Sequence, residues 1–123
     1  MMTEKEISAL ADEYFADEVW IRSGSSEDTT PSWDAMVSLI DRDPRSALAV
    51  ILRLLEKSSN SIEISRVGTG PLETLLANHA DEVLTEVLNA ARENVRVKEA
   101  LSYATATDLP PALQRRIDEV LAP

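Results

Sequence analysis

Apolar residues recur along most of this chain at intervals of three and four, the spacing of a helix with one buried face. Thr3-Glu4-Lys5-Glu6 has the form of a capping box, with Thr3 as N-cap and Glu6 three residues on. From it the pattern predicts a first helix with Ile7, Leu10, Ala11, Tyr14 and Ile21 on one face. Glu18 interrupts that face, and Trp20 points away from it if the helix continues that far. Residues 23–30 are polar and read as a flexible loop. Thr30-Pro31 starts a second helix with Trp33, Met36, Val37 and Ile40 inward, and Asp43-Pro44 repeats the start signal for a third. The third helix carries Ala47, Leu48, Val50, Ile51, Leu52, Leu54 and Leu55 around more than half its circumference. A stripe that wide predicts a central helix covered on several sides.

The second half is less uniform. Ile62 to Val67 alternates apolar and polar residues, but no second strand is available to pair with it. It reads as a short helix or an extended connector. Gly68-Thr69-Gly70-Pro71 then predicts a tight turn that uses glycine's access to positive φ, followed by a short helix to His79. In that helix Pro71 occupies N1 and Glu73 occupies N3, where it accepts from the Gly70 N–H. Residues 81–93 form an amphipathic helix with Val83, Leu84, Val87, Leu88 and Ala91 inward. Asn94 starts another with Val97, Ala100 and Leu101, and Pro111 starts the last with Leu113, Ile117, Val120 and Leu121. The expected fold is all-α: about seven short helices in one domain spanning 1–123, paired in a HEAT-like bundle but without a visible internal repeat.

Composition agrees with that outline. Hydrophobic residues make up 44 % of the chain and aromatics only 4 %, which points to an aliphatic core. No apolar run reaches the length of a membrane span, and the first residues lack the pattern of a secretory signal. The absence of cysteine excludes disulfides and thiolate metal sites. A cytoplasmic protein is the expectation. The net charge of −10 is uneven: residues 1–30 hold eight acids against two bases. Binding to a phosphate backbone is disfavoured, whereas an acidic face suits a basic protein partner.

Candidate chemistry is sparse. Gly68-Thr69-Gly70 fails as a phosphate loop because Glu73 stands where the third glycine belongs, and no G-K-[ST] occurs. His79, the single histidine, falls on the helical wheel with Leu72, Leu75 and Leu76 and is expected to be buried and hydrogen-bonded. Asp41-Arg42-Asp43 lacks the glycine and the distal glutamate of a calcium loop, and Asp43 serves better as an N-cap. The acid pairs Asp12-Glu13, Asp17-Glu18 and Asp81-Glu82 read as solvated faces. The sequence assigns no catalytic, metal-binding or cofactor-binding residue, and no cofactor is expected.

Asp43 to Leu52 together with Gly70 to His79 resemble a family of small bacterial helical proteins that carries the status of a domain of unknown function. Its features are a Trp-Ile pair, a tryptophan near a second helix, a D-P helix start, G-P-L-E-x-L-L-x-x-H, and a later A-x-x-(D/N)-x-x-(F/V). The corresponding residues here are Trp20-Ile21, Trp33, Asp43-Pro44, Gly70 to His79, and Ala91 to Val97. Where the family usually has glycine after the histidine, this chain has Ala80. The resemblance implies a helical fold and makes Gly70, Pro71, Leu72, Glu73, Leu75, Leu76 and His79 a family motif with a structural role. It imports no activity.

The expected function is therefore non-enzymatic: a bacterial immunity or adaptor protein whose acidic surface binds a basic protein such as a toxin. Asp12, Glu13, Asp17, Glu18, Trp20, Glu27 and Asp28 are the candidate contact residues. Two alternatives stay open, a small enzyme built around Glu73 and His79 and an acidic mimic of nucleic acid.

Overall fold

The third helix organises the molecule. In the computed structural model, residues 3–22, 31–104 and 109–122 are described, with backbone alone for 15–22 and 31–33. Seven α-helices and one π turn account for nearly all of them: α1 (Glu4–Arg22), α2 (Pro31–Arg42), α3 (Pro44–Lys57), α4 (Ser61–Val67), the π turn (Gly68–Leu72), α5 (Glu73–Glu93), α6 (Val95–Tyr103) and α7 (Pro111–Leu121). The protein is all-α. The polar loop 23–30, with Glu27 and Asp28, and the side chains of Asp17, Glu18, Trp20, Ile21 and Trp33 lie outside the described residues.

α3 packs against α1, α2 and α5, and it also meets α4, α6 and the π turn. Its Ala47, Leu48, Val50, Ile51, Leu54 and Leu55 are buried, as the wide stripe requires. Around them stand Ala11 and Tyr14 of α1, Met36, Leu39 and Ile40 of α2, and Val83, Leu84, Val87 and Leu88 of α5. Leu39, rather than Val37, completes the buried face of α2. α7 joins the periphery through Ile117 and lies against α5 and α6.

The helix ends show why the chain stops and starts where it does. Thr3 and Glu6 close the capping box reciprocally: the Thr3 N–H donates to Glu6 Oε1 at 3.0 Å and the Glu6 N–H to Thr3 Oγ1 at 3.1 Å. Asp43 accepts from the Ser46 N–H at 3.2 Å and the Ser46 hydroxyl at 2.6 Å. Asn60 caps α4 by accepting from the Glu63 N–H at 2.9 Å, while Glu63 Oε1 accepts from the Ser59 N–H. That second box decides for a helix, and against a connector, over residues 61–67.

At the C-terminus of α3 a distant residue completes the hydrogen bonding. The last carbonyls of a helix have no partner within it. Here Leu54 O accepts from the Ser58 hydroxyl at 2.8 Å. Arg96, from the first turn of α6, donates to Leu55 O at 3.2 Å and Glu56 O at 2.7 Å. A cation at a helix C-terminus also meets the negative end of the dipole.

The tight turn expected at Gly68–Gly70 is not formed. Gly68 has φ −64° and ψ −47°, so the helix runs on through it. Pro71 therefore sits inside a helical run, not at N1, and Glu73 is not an N3 cap. The physical reason is the width of the turn. Proline has no N–H to give and its ring crowds the carbonyl four residues earlier. Widening to i→i+5 bonding absorbs both defects, with the Glu73 N–H reaching back to Gly68 O. Glycine at 68 serves proximity instead of positive φ. A Cβ there would lie 2.3 Å from the Ala100 carbonyl oxygen and 3.1 Å from Tyr103 Cβ, because the start of the π turn rides directly on the α6 backbone.

Three outcomes are expected. A helical glycine replaced by alanine ordinarily gains about 1 kcal/mol, but Gly68→Ala should lose about 1–3 kcal/mol through overpacking, seen as a lower thermal midpoint by circular dichroism. An unchanged or raised midpoint contradicts the close crossing. Arg96→Met keeps the aliphatic stem and removes the charged donors, so it should cost about 1–2 kcal/mol in urea unfolding. The third concerns acid. Hydrogen bonds from the Ser46 hydroxyl, then from its N–H, hold the Asp43 carboxyl below the usual aspartate range. Thr3, first through its N–H and then through its hydroxyl, holds Glu6 below the glutamate range. Because both folded values lie below the unfolded ones, the stability they supply is present above the ordinary carboxylate range and is lost as pH falls through the folded values. Asp43→Asn should flatten that part of the thermal midpoint's pH profile. An unaltered profile would remove Asp43 from the account.

A kinked helix and the groove beside His79

α5 bends at its seventh residue. His79 has φ −139° and ψ 28°, outside the helical region, although helix continues on both sides. The break falls where the sequence pattern separates a helix ending at His79 from one beginning at residue 81. Side chains before the bend bond back to the preceding turn: Thr74 Oγ1 donates to Gly70 O at 3.0 Å and Asn78 Nδ2 to Thr74 O at 2.8 Å. Such back-bonding from polar side chains bends helices. Ala80 after the bend is buried.

The bend moves His79 off the interior face. Leu72, Leu75 and Leu76 are fully buried, but the His79 side chain keeps 21 % of its exposure. The helical wheel fails for this residue because the wheel assumes a regular backbone up to and including it. Its Nε2 lies 3.8 Å from Asp41 Oδ1 of α2, and its Nδ1 lies 3.7 Å from Glu82 Oε2, one turn further along α5. Both separations exceed a hydrogen bond. Both carboxylates are largely exposed, where any attraction to the ring is modest.

Beside the imidazole is an open groove of about 210 Å³. One wall is the kinked part of α5, with Leu76, His79, Asp81 and Glu82. The other comes from Leu109, Pro110 and Leu113 at the start of α7. Glu73 does not line it; the carboxylates placed beside the ring are those of Asp41 and Glu82. Glu82 was within reach of sequence reasoning, since residues three apart on a helix are neighbours. Asp41 and Leu113 come from other helices, and no local signal marks them. Among the described residues no group of three or more histidines and carboxylates is arranged to hold a metal ion, and no helix is long and apolar enough to cross a membrane.

The remaining motif residues are packing elements. Pro71, Leu72, Leu75 and Leu76 are buried, and Gly70 supplies the carbonyl that Thr74 engages. Of the candidate contact residues, Asp12 is paired with Lys57 of α3 at 2.8 Å while Glu13 is exposed. Asp17, Glu18, Trp20, Glu27 and Asp28 fall where side chains are not described.

No curated protein matches the chain, and no solved structure does. Residues 21–122 match a family described as "Family of unknown function (DUF6869)". That span takes in the Asp43 cap, the π turn, the kink at His79 and the Arg96 clamp, which together fix the path of the helices. The chain belongs to the DUF6869 family, a family of unknown function.

Proposed function

We propose that this protein is a non-enzymatic binding module, a bacterial immunity or adaptor protein whose acidic surface engages a basic protein partner. One observation carries the reading: several cations are engaged in contacts within the fold, and a net excess of acids faces out. Arg45 pairs with Glu86, Arg53 with Glu4 and Glu56, and Lys57 with Asp12. Arg96 clamps the end of α3, and Arg116 of α7 donates to the Thr85 hydroxyl at 3.0 Å. These basic side chains hold helices together. Asp34, Asp41, Asp81, Glu82 and Glu93 remain exposed, on a chain whose net charge is −10. A surface of one sign speeds encounter with the opposite sign and rejects like-charged proteins.

A second reading keeps the groove beside His79 as a catalytic site, with Glu82 or Asp41 in place of Glu73. It is favoured by the pocket that such a site requires. It predicts that His79→Ala abolishes a measurable turnover while leaving the melting curve unchanged.

Immobilised protein is expected to retain a basic partner, encoded in the neighbourhood of its own gene, and to release it as salt rises from about 0.1 M to about 1 M. Over that range the screening length falls from about 10 Å to about 3 Å. Retention of no basic partner, or of one that salt does not weaken, contradicts the proposal.

A further inference from the structure

The groove beside His79 has the shape and chemistry to take one long cationic side chain. Its volume of about 210 Å³ is below the roughly 300 Å³ at which small-molecule sites begin. Its lining mixes apolar and acidic side chains. Leu76, Leu109 and Leu113 give it an apolar lining, and the carboxylates of Asp81 and Glu82 stand on the same wall as the imidazole. Asp41, from α2, does not line the groove but places a further carboxylate 3.8 Å from Nε2, at the other edge of the ring. An arginine or lysine is built in the same two parts, an aliphatic stem that seeks apolar cover and a charged head that stays near water and anions.

We infer that this groove is the recognition point for an arginine side chain of the basic partner, an inference that rests on the binding-module reading above. Arginine is favoured over lysine on geometry. A planar guanidinium accepts a ring against its face and presents a fork of donors to a carboxylate, whereas an ammonium is a point charge. The groove offers both counterparts, the His79 ring and the Glu82 carboxylate beside it. Asp41 and Glu82 are largely exposed and make no hydrogen bond with the imidazole, so their oxygens are open to an incoming donor. The bend in α5 sets the site.

The probe is the blocked tripeptide acetyl-Gly-Arg-Gly-amide, titrated into the full chain and followed by amide NMR. Saturable shifts are expected to cluster at residues 76–82 and around Leu113. The citrulline analogue, which is isosteric and uncharged, should bind at least about tenfold more weakly, as should the arginine peptide toward the double variant Asp41→Asn, Glu82→Gln. Both substitutions are at exposed positions, and the melting curve of the variant checks that it folds. Glu119→Gln, on the outer side of α7, should bind as the parent does. Equal binding of the citrulline peptide, or shifts spread over all acidic surfaces, overturns the inference. Shifts confined to α1 overturn the groove but leave the acidic binding surface standing. No shifts, together with loss of the salt-dependent partner, end both.

Discussion

Where Gly68 meets α6, the chain passes close enough that a single methyl group would collide with the Ala100 carbonyl. That approach sets the path of the chain on either side. It forces the end of α4 onto the α6 backbone, and from there the π turn around Pro71 redirects the chain into α5. α5 then lies along α3 and buries Val83, Leu84, Val87 and Leu88 against it. Ala100 and Ala104, small and buried, keep the α6 side of the crossing low. Small residues allow the close approach, and the leucines and valines of α3 and α5 reward it with apolar surface removed from water.

Charge plays two distinct parts in this molecule. Within the fold, arginine and lysine link helices that are distant in sequence, as Arg96 does for the end of α3 and Arg45 does for α3 and α5. Exposed pairs of this kind contribute little individually, and each offsets one acid with one base, so the excess of acids is unchanged. The acids left over set the character of the surface as seen by another molecule. Stability comes chiefly from the aliphatic core and helix caps, and the proposed binding role draws on the excess of acids.

Much of the fold is legible in the sequence because the relevant signals are local. The capping box at Thr3, the Asp43-Pro44 start and the wide apolar stripe of α3 each depend on residues within a few positions of one another. The sequence also places a helix end at His79 and a new helix from residue 81, which is where the kink falls. What is hidden depends on distant partners. The spacing around Gly68 reads as a turn because glycine and proline usually mark turns, and only the position of Ala100 shows that the glycine is needed for clearance. Likewise Arg96 looks like an ordinary surface cation until the end of α3 is placed beside it. For the groove, Glu82 follows from helical spacing, but Asp41 and Leu113 arrive through tertiary packing. His79 itself is misplaced by the wheel because its own backbone leaves the helix.

These features make α3, α4, the π turn and α6 one mechanical unit, clamped by Gly68 at one point and by Arg96 at another. Native-state hydrogen exchange tests that claim most directly. The account predicts that amides of α4 and α6 exchange together with those of α3, through the same opening, and that Gly68→Ala lowers the protection of α4 and α6 before that of α3. If α6 instead exchanges rapidly and independently in the unaltered protein, the Gly68 crossing is not what holds the fold together.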